Sequence, residues 1–163
     1  MYKYVKSIIL ILAIFLSFHQ LAFASEKPMK PPKPTEGIES IDPKYGSSKD
    51  INIIFSLDAS SLLSDWNCSI TNTGTKLSLN GESTAYNIAD QLTLTLYLQI
   101  WDGSNWIDIN SWTWNSYSSS FISKATTSSY QSNNYYRVRG VHYAKKGSQE
   151  QTQNSTSSYI YIP

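Results

Sequence analysis

The sequence predicts an all-β domain, arranged as a two-layer antiparallel sandwich of about seven strands. Three observations predict it. Beyond residue 50, apolar residues recur at every second position, which is the period of a strand, and not at every third or fourth. The residues that fill these runs are Thr, Tyr, Ile, Leu and Trp, which suit a pleated, half-buried surface. Gly, Asn, Asp and Ser punctuate the runs at short intervals, so the connections read as turns.

The elements follow in order. Residues 1 to 24 open with Lys3 and Lys6, continue through the apolar run Ile8 to Phe18 and end in Ala22-Phe23-Ala24, the pattern of a cleavable secretory signal peptide. The apolar run is about half of the roughly 20 residues that a membrane-spanning helix needs. Cleavage before Ser25 removes two lysines and shifts the formal charge from +1 to −1. The expectation is a secreted protein, extracellular or loosely wall-associated, without a stable transmembrane anchor. Residues 25 to 50 are rich in Pro and Lys and poor in apolar residues, and read as a flexible or polyproline-like leader acting as a spacer.

The domain proper is expected over residues 51 to 163. Ile51 to Leu57 is the first candidate strand, and the following DASSLLSD a loop or one helical turn. Trp66, Cys68 and Ile70 alternate with polar residues up to a turn at Asn72-Thr73-Gly74-Thr75, and Leu77 and Leu79 mark the return. In QLTLTLYLQIW, Leu92, Leu94, Leu96, Leu98 and Ile100 point one way and Thr93, Thr95, Tyr97, Gln99 and Trp101 the other. A tight loop at Gly103-Ser104 pairs Ile100 with Ile107 and Trp101 with Trp106. Strict alternation then sends Trp106, Asp108, Asn110, Trp112 and Trp114 to the face of Trp101. Ser116 to Ser132 reads as a weak edge strand flanked by loops. Asn134 to Ala144 and Ser157 to Ile162 are the last two strands, joined by a polar segment containing Lys145-Lys146-Gly147. Seven or so short strands with turns between them are the expectation for an immunoglobulin-like sandwich.

The segment Tyr136-x-Val138-Arg139, a turn glycine at Gly147 and a terminal apolar strand resemble the last hairpin of fibronectin type III and related immunoglobulin-like domains. The resemblance implies that the Tyr136 hydroxyl caps a corner by bonding to backbone. The signal peptide, LYLQIWDGSNWIDI and YYRVRGVHYA together resemble an uncharacterised group of small secreted proteins of low-GC Gram-positive bacteria. That resemblance implies compartment and fold, and transfers no activity.

Composition excludes several chemistries. Cys68 is the only cysteine, so no intramolecular disulfide forms, and it reads as a small buried hydrophobe. Beyond the signal region His142 is the only histidine, read as a strand-end residue with one partner on the face of Tyr136 and Val138. No metal-ligand spacing, phosphate loop or nucleophile motif occurs, and no cofactor is expected. Lysines and arginines are too scattered for a nucleic-acid partner.

One feature of the pattern points to function. Tyr97, Trp101, Trp106, Trp112 and Trp114 fall on the nominally wet face of the central hairpin, and Arg137 and Arg139 share that parity on the neighbouring strand, where they lie over Tyr97 and Trp101 as a cation–π ladder. Two readings of this face stand side by side: a structural ladder with the leader or the Ser-rich loop draped over it, or a binding face on which indoles stack against sugar rings of a cell-wall or host glycan. Association with a protein partner, including a second copy, is a further reading. The expected function is therefore a non-enzymatic binding or surface-interaction module. Its rivals are a small secreted hydrolase of wall polymer using Asp102 and Asp108, and a pore-forming protein using the Ser/Thr-rich run from Ser116 to Ser132.

Overall fold

A computed structural model describes residues 30–50 and 61–163. The signal region and the candidate strand Ile51 to Leu57 lie outside the described residues. Seven antiparallel strands form one strongly curled sheet: β1 Tyr45–Ser47, β2 Leu63–Asn72, β3 Leu77–Trp101, β4 Trp106–Ser128, β5 Asn134–Lys146, β6 Gln149–Thr156 and β7 Ile160–Ile162, with a single 3-10 turn at Ser48–Asp50.

β3 and β4 run through the whole fold. The first part of β3, from Leu77 to Ala85, pairs with β2, and the last part, from Gln91 to Ile100, pairs with β5, while β4 follows β3 along both. Between Thr84 and Ala89 the β3–β4 register slips, and Ser118, next to the slip on β4, adopts a left-handed backbone (φ 49°). Irregular pairing of this kind increases local bending. Here it folds the two halves of the hairpin toward each other, so β2 comes to face β5 and β6: the Trp66 indole donates to the Asn154 carbonyl (3.3 Å), and the Cys68 thiol to the Val138 carbonyl (3.4 Å). The expected pair of separate sheets is thus replaced by one half-barrel, because β3 and β4 are not interrupted at the corner. Ser116 to Ser132, read as a weak strand between loops, is in large part the second half of β4.

The core is the concave side. Leu92, Leu94, Leu96 and Leu98 are fully buried, together with Cys68, Ile70, Leu77, Leu79 and Val138. Full burial of one such leucine contributes about 1.5–3 kcal/mol. The halves approach closely at Gly81, where an added Cβ would stand 2.7 Å from a Leu96 methyl.

Three local expectations hold in the structure. Asn72 pairs with Leu77 around a turn whose Gly74 takes φ 91°, and Ile100 and Trp101 pair with Ile107 and Trp106. The Tyr136 hydroxyl donates to the Gln131 carbonyl (3.0 Å) and accepts from the Gln131 amide (2.9 Å), the corner bond that the resemblance implied.

Two segments differ from the reading. Gln149–Thr156, taken as a polar connection, is the strand β6, whose inward side chains are polar and therefore invisible to an apolar period: the Gln151 side-chain oxygen accepts from the Leu62 and Leu63 amides (2.6 and 2.8 Å). Residues 30–50, read as a spacer, lie along the sheet in the structure. β1 pairs with β2, Glu39 bridges to Tyr159, and Pro34 is buried.

Candidate functional site

Two surfaces collect the aromatic residues that the sequence singled out. On the convex side, Tyr97, Gln99 and Trp101 of β3 stand beside Trp106 and Asp108 of β4 and Arg137 and Arg139 of β5. The register sets this arrangement, since Tyr97 pairs with Arg139, Gln99 with both Arg137 and Asp108, and Trp101 with Trp106. The Arg139 guanidinium lies 4.0 Å from the centre of the Tyr97 ring, and that of Arg137 lies 4.3 Å from Trp106. A ladder therefore exists, with one rung moved: the second ring is Trp106, not Trp101.

Trp101 is displaced from that role by burial. It is 2% exposed, meets Trp106 at 5.4 Å with the ring planes tilted by 57°, and belongs to a small cluster with Tyr135 and Tyr159. The polar groups between the rings are satisfied within the protein. Arg137 Nε donates to Gln99 Oε1 (2.7 Å), Gln99 Nε2 donates to Asp108 Oδ1 (2.7 Å), and Arg139 donates to the other carboxylate oxygen (2.8 Å). Burial pulls the Arg137 pKa down to about 10, so the side chain still carries its charge at neutral pH. Residues of the 30–50 segment close the face from outside: the Trp106 indole donates to the Glu36 carbonyl (3.0 Å), and Ser40 and Tyr159 are joined by a backbone bond of 2.9 Å.

Trp112 and Trp114 are on the opposite side from that expected. Leu98 pairs with Asn110 but Gln99 with Asp108, which leaves Ile109 as an extra residue and reverses the parity of everything after it. Trp112 therefore pairs with Leu96 and Trp114 with Leu94, and both pack, half-buried, on the edge of the leucine core. The seven residues of the proposed face thus divide into a convex ladder of four, Trp101 buried beside it, and a concave pair of two.

An open cleft of about 360 Å³ lies at the Asn110 end of the same strand face. Ile100, Ile109, Asn110 and Tyr136 line one side, and Ser128, Ser129, Tyr130 and Gln131 the other. Asn110 is the next residue along the face of Trp112. Sequence reasoning missed this cleft, because it arises where the end of β4 returns across the start of the same hairpin, a juxtaposition made by the corner and by no local pattern.

The side chains with acid–base or nucleophilic chemistry are engaged elsewhere. Asp102 accepts from the Ser104 and Asn105 amides (2.8 and 2.7 Å), and the Asn105 and Ser104 bonds lower its pKa. Cys68 is fully buried, and desolvation pushes its thiol up to about 11. His142, expected at a strand end with one partner, sits within β5, fully buried between Ser83 (2.8 Å from Nδ1) and Ser155 (2.7 Å from Nε2). Burial lowers its pKa to about 4, so it is neutral. Among the described residues no group of three or more metal-ligating side chains comes together.

Comparisons with protein-family models, with curated proteins and with solved structures find no match. What stands is an all-β, antiparallel protein.

Proposed function

We propose that this chain is a secreted, non-catalytic binding module that takes a glycan in the concave cleft, with Trp112 and Trp114 as its stacking rim. The observation that carries the reading is that Asn110, which lines an open cleft with Ser128, Ser129, Tyr130 and Gln131, shares one face of β4 with the two half-buried indoles. An apolar ring face beside several neutral hydrogen-bonding groups matches the two sides of a sugar ring. The convex ladder supports the structural reading of that face, because guanidinium groups and the 30–50 segment occupy its ring surfaces. The paired engagements of Asp102 and Asp108 favour binding over a hydrolase built on those carboxylates. Export rests on the N-terminal pattern of residues 1 to 24, and the immunoglobulin-like kinship on the Tyr136 corner bond.

Titration of the protein with oligosaccharides from wall polymer and peptidoglycan, followed by Trp emission, tests the reading. A saturable change that Trp112→Ala and Asn110→Ala abolish, and that Arg139→Ala retains, is expected. Equal loss in Arg139→Ala would move the site to the convex face, and no change across the panel would remove the glycan reading.

A second reading, protein association, is favoured by the free edge of β4. This strand pairs only with β3, so its other edge has no partner strand among the described residues over 23 positions. Concentration-dependent mass by light scattering would support it.

A further inference from the structure

We propose that Tyr135 and Tyr161 form a binding site for a quaternary ammonium group, and that Lys30 of this same chain occupies it in the structure described here. This site lies on the convex side, away from the cleft, and is independent of the glycan reading.

The geometry is that of a cation held by ring faces. The Lys30 ammonium lies 4.1 Å from the centre of the Tyr161 ring and 5.6 Å from that of Tyr135. Both fall within the roughly 6 Å over which a ring quadrupole attracts a cation. The two rings are 4.9 Å apart with their planes at 47°, so they form a wedge, and the ammonium lies against it nearer to Tyr161. Among the described residues Lys30 makes no ion pair, so the rings are the partners the structure gives it.

The wedge is built without help from Lys30. Tyr135 is 2% exposed and meets Tyr159 edge-on at 5.7 Å. The Tyr161 hydroxyl donates to Asn133 Oδ1 (2.6 Å), and Asn133 is itself fixed in a left-handed backbone (φ 63°) with its amide bonded to the Ile162 carbonyl (2.6 Å). Tyr135 and Tyr161 are also directly paired across β5 and β7. A site whose rings are already oriented loses little freedom on binding.

Lys30 is equally independent of the wedge. It is exposed, while the segment that carries it is anchored further along by buried Pro34, the Lys33–Glu39 ion pair (2.6 Å), the Trp106–Glu36 bond and the backbone bonds of Ile38 and Ser40 to Tyr159. The ammonium can therefore leave without unseating the strap. A primary ammonium is strongly hydrated and gives up that water reluctantly. A quaternary ammonium has no hydrogen to donate to water and presents methyl groups to the rings, so the same wedge favours it. Lys30 then acts as a tethered competitor, present at high effective concentration.

The test is a titration with tetramethylammonium chloride, followed by the amide and ring NMR signals of Tyr135 and Tyr161, with sodium chloride at matched ionic strength as the blank. In Lys30→Ala the expected result is a saturable shift confined to the wedge, with a midpoint in the millimolar range, and in the unsubstituted protein a midpoint several-fold higher. Tyr161→Phe keeps the ring and should keep the shift, whereas Tyr161→Leu should lose it. No saturable shift in Lys30→Ala, equal midpoints with and without Lys30, or a shift that survives Tyr161→Leu in a folded protein would each overturn the proposal. Should the Leu variant fail to fold, the Lys30→Ala comparison decides alone. Once a shift is seen, free choline and choline-headgroup vesicles distinguish a soluble ligand from a lipid headgroup.

Discussion

Trp112 pairs with Leu96 across the β3–β4 hairpin, so its indole lies on the concave face beside the core. Strict alternation from Trp106 places it on the convex face. The difference comes from one residue, Ile109, the unpaired position of a bulge.

Deletion of Ile109 should therefore restore alternation and turn Trp112 and Trp114 outward. The expected loss is about 2–4 kcal/mol of stability, from indole area removed from the core edge. Urea denaturation measures the loss, and a red-shifted Trp emission that iodide quenches more strongly reports the exposure. Unchanged stability and emission would mean that the bulge does not set the parity.

Trp101 tests the cost of an unpaired polar atom. Its indole nitrogen is buried without a hydrogen-bond partner among the described residues, which costs about 1–3 kcal/mol. Trp101→Phe removes that N–H and keeps most of the ring, so its net effect should stay within about 1.5 kcal/mol. Trp101→Ala leaves a cavity between Trp106 and Tyr135 and should cost about 3–5 kcal/mol. Both are read from chemical denaturation midpoints.

His142 predicts an acid limit to stability. Its pKa is about 4 when folded, against an ordinary value of 6.5. Between these values the unfolded chain binds the proton and the folded chain does not, so stability falls as pH drops from about 6.5 to about 4. The full loss is about 3 kcal/mol. Asp65 acts against this by favouring the charged form. Comparison with His142→Gln isolates the effect: the variant should be less stable at neutral pH and show a flatter profile across that window. Parallel profiles would show that His142 does not titrate with folding.

Gly46 tests the seam between β1 and the turn before β7. A Cβ there would collide with the Ser158 carbonyl, whose residue is also bonded to Ser47 and Asp50. Gly46→Ala should destabilise by about 1–3 kcal/mol and raise hydrogen exchange at Ser47 and Ser158 ahead of the β3–β5 amides. Uniform exchange across the sheet would contradict a local seam.

Much of the candidate surface was legible because it depends on neighbouring strands alone. The alternation of QLTLTLYLQIW fixes which residues of β3 reach the core, and the parity of NYYRVRGVHYA places Arg137 and Arg139 beside Tyr97 and Gln99. The concave cleft was not legible. It needs Ser128 to Gln131 brought against Ile109 and Asn110 from the far end of the same hairpin, and no local period encodes that approach.

The sequence by itself determined the all-β class, the turns at Gly74 and Gly103, and the leucine face of β3. These follow from side-chain period and backbone permissiveness, which act over a few residues. Only the tertiary structure decided that β3 and β4 bend as one curled sheet, that the polar strand β6 seals it through Gln151 and Ser155, that Ile109 turns two indoles inward, and that residues 30–40 cover the aromatic cluster. Each of those depends on contacts between residues far apart in the chain, where a single extra residue or one buried polar partner outweighs the local pattern.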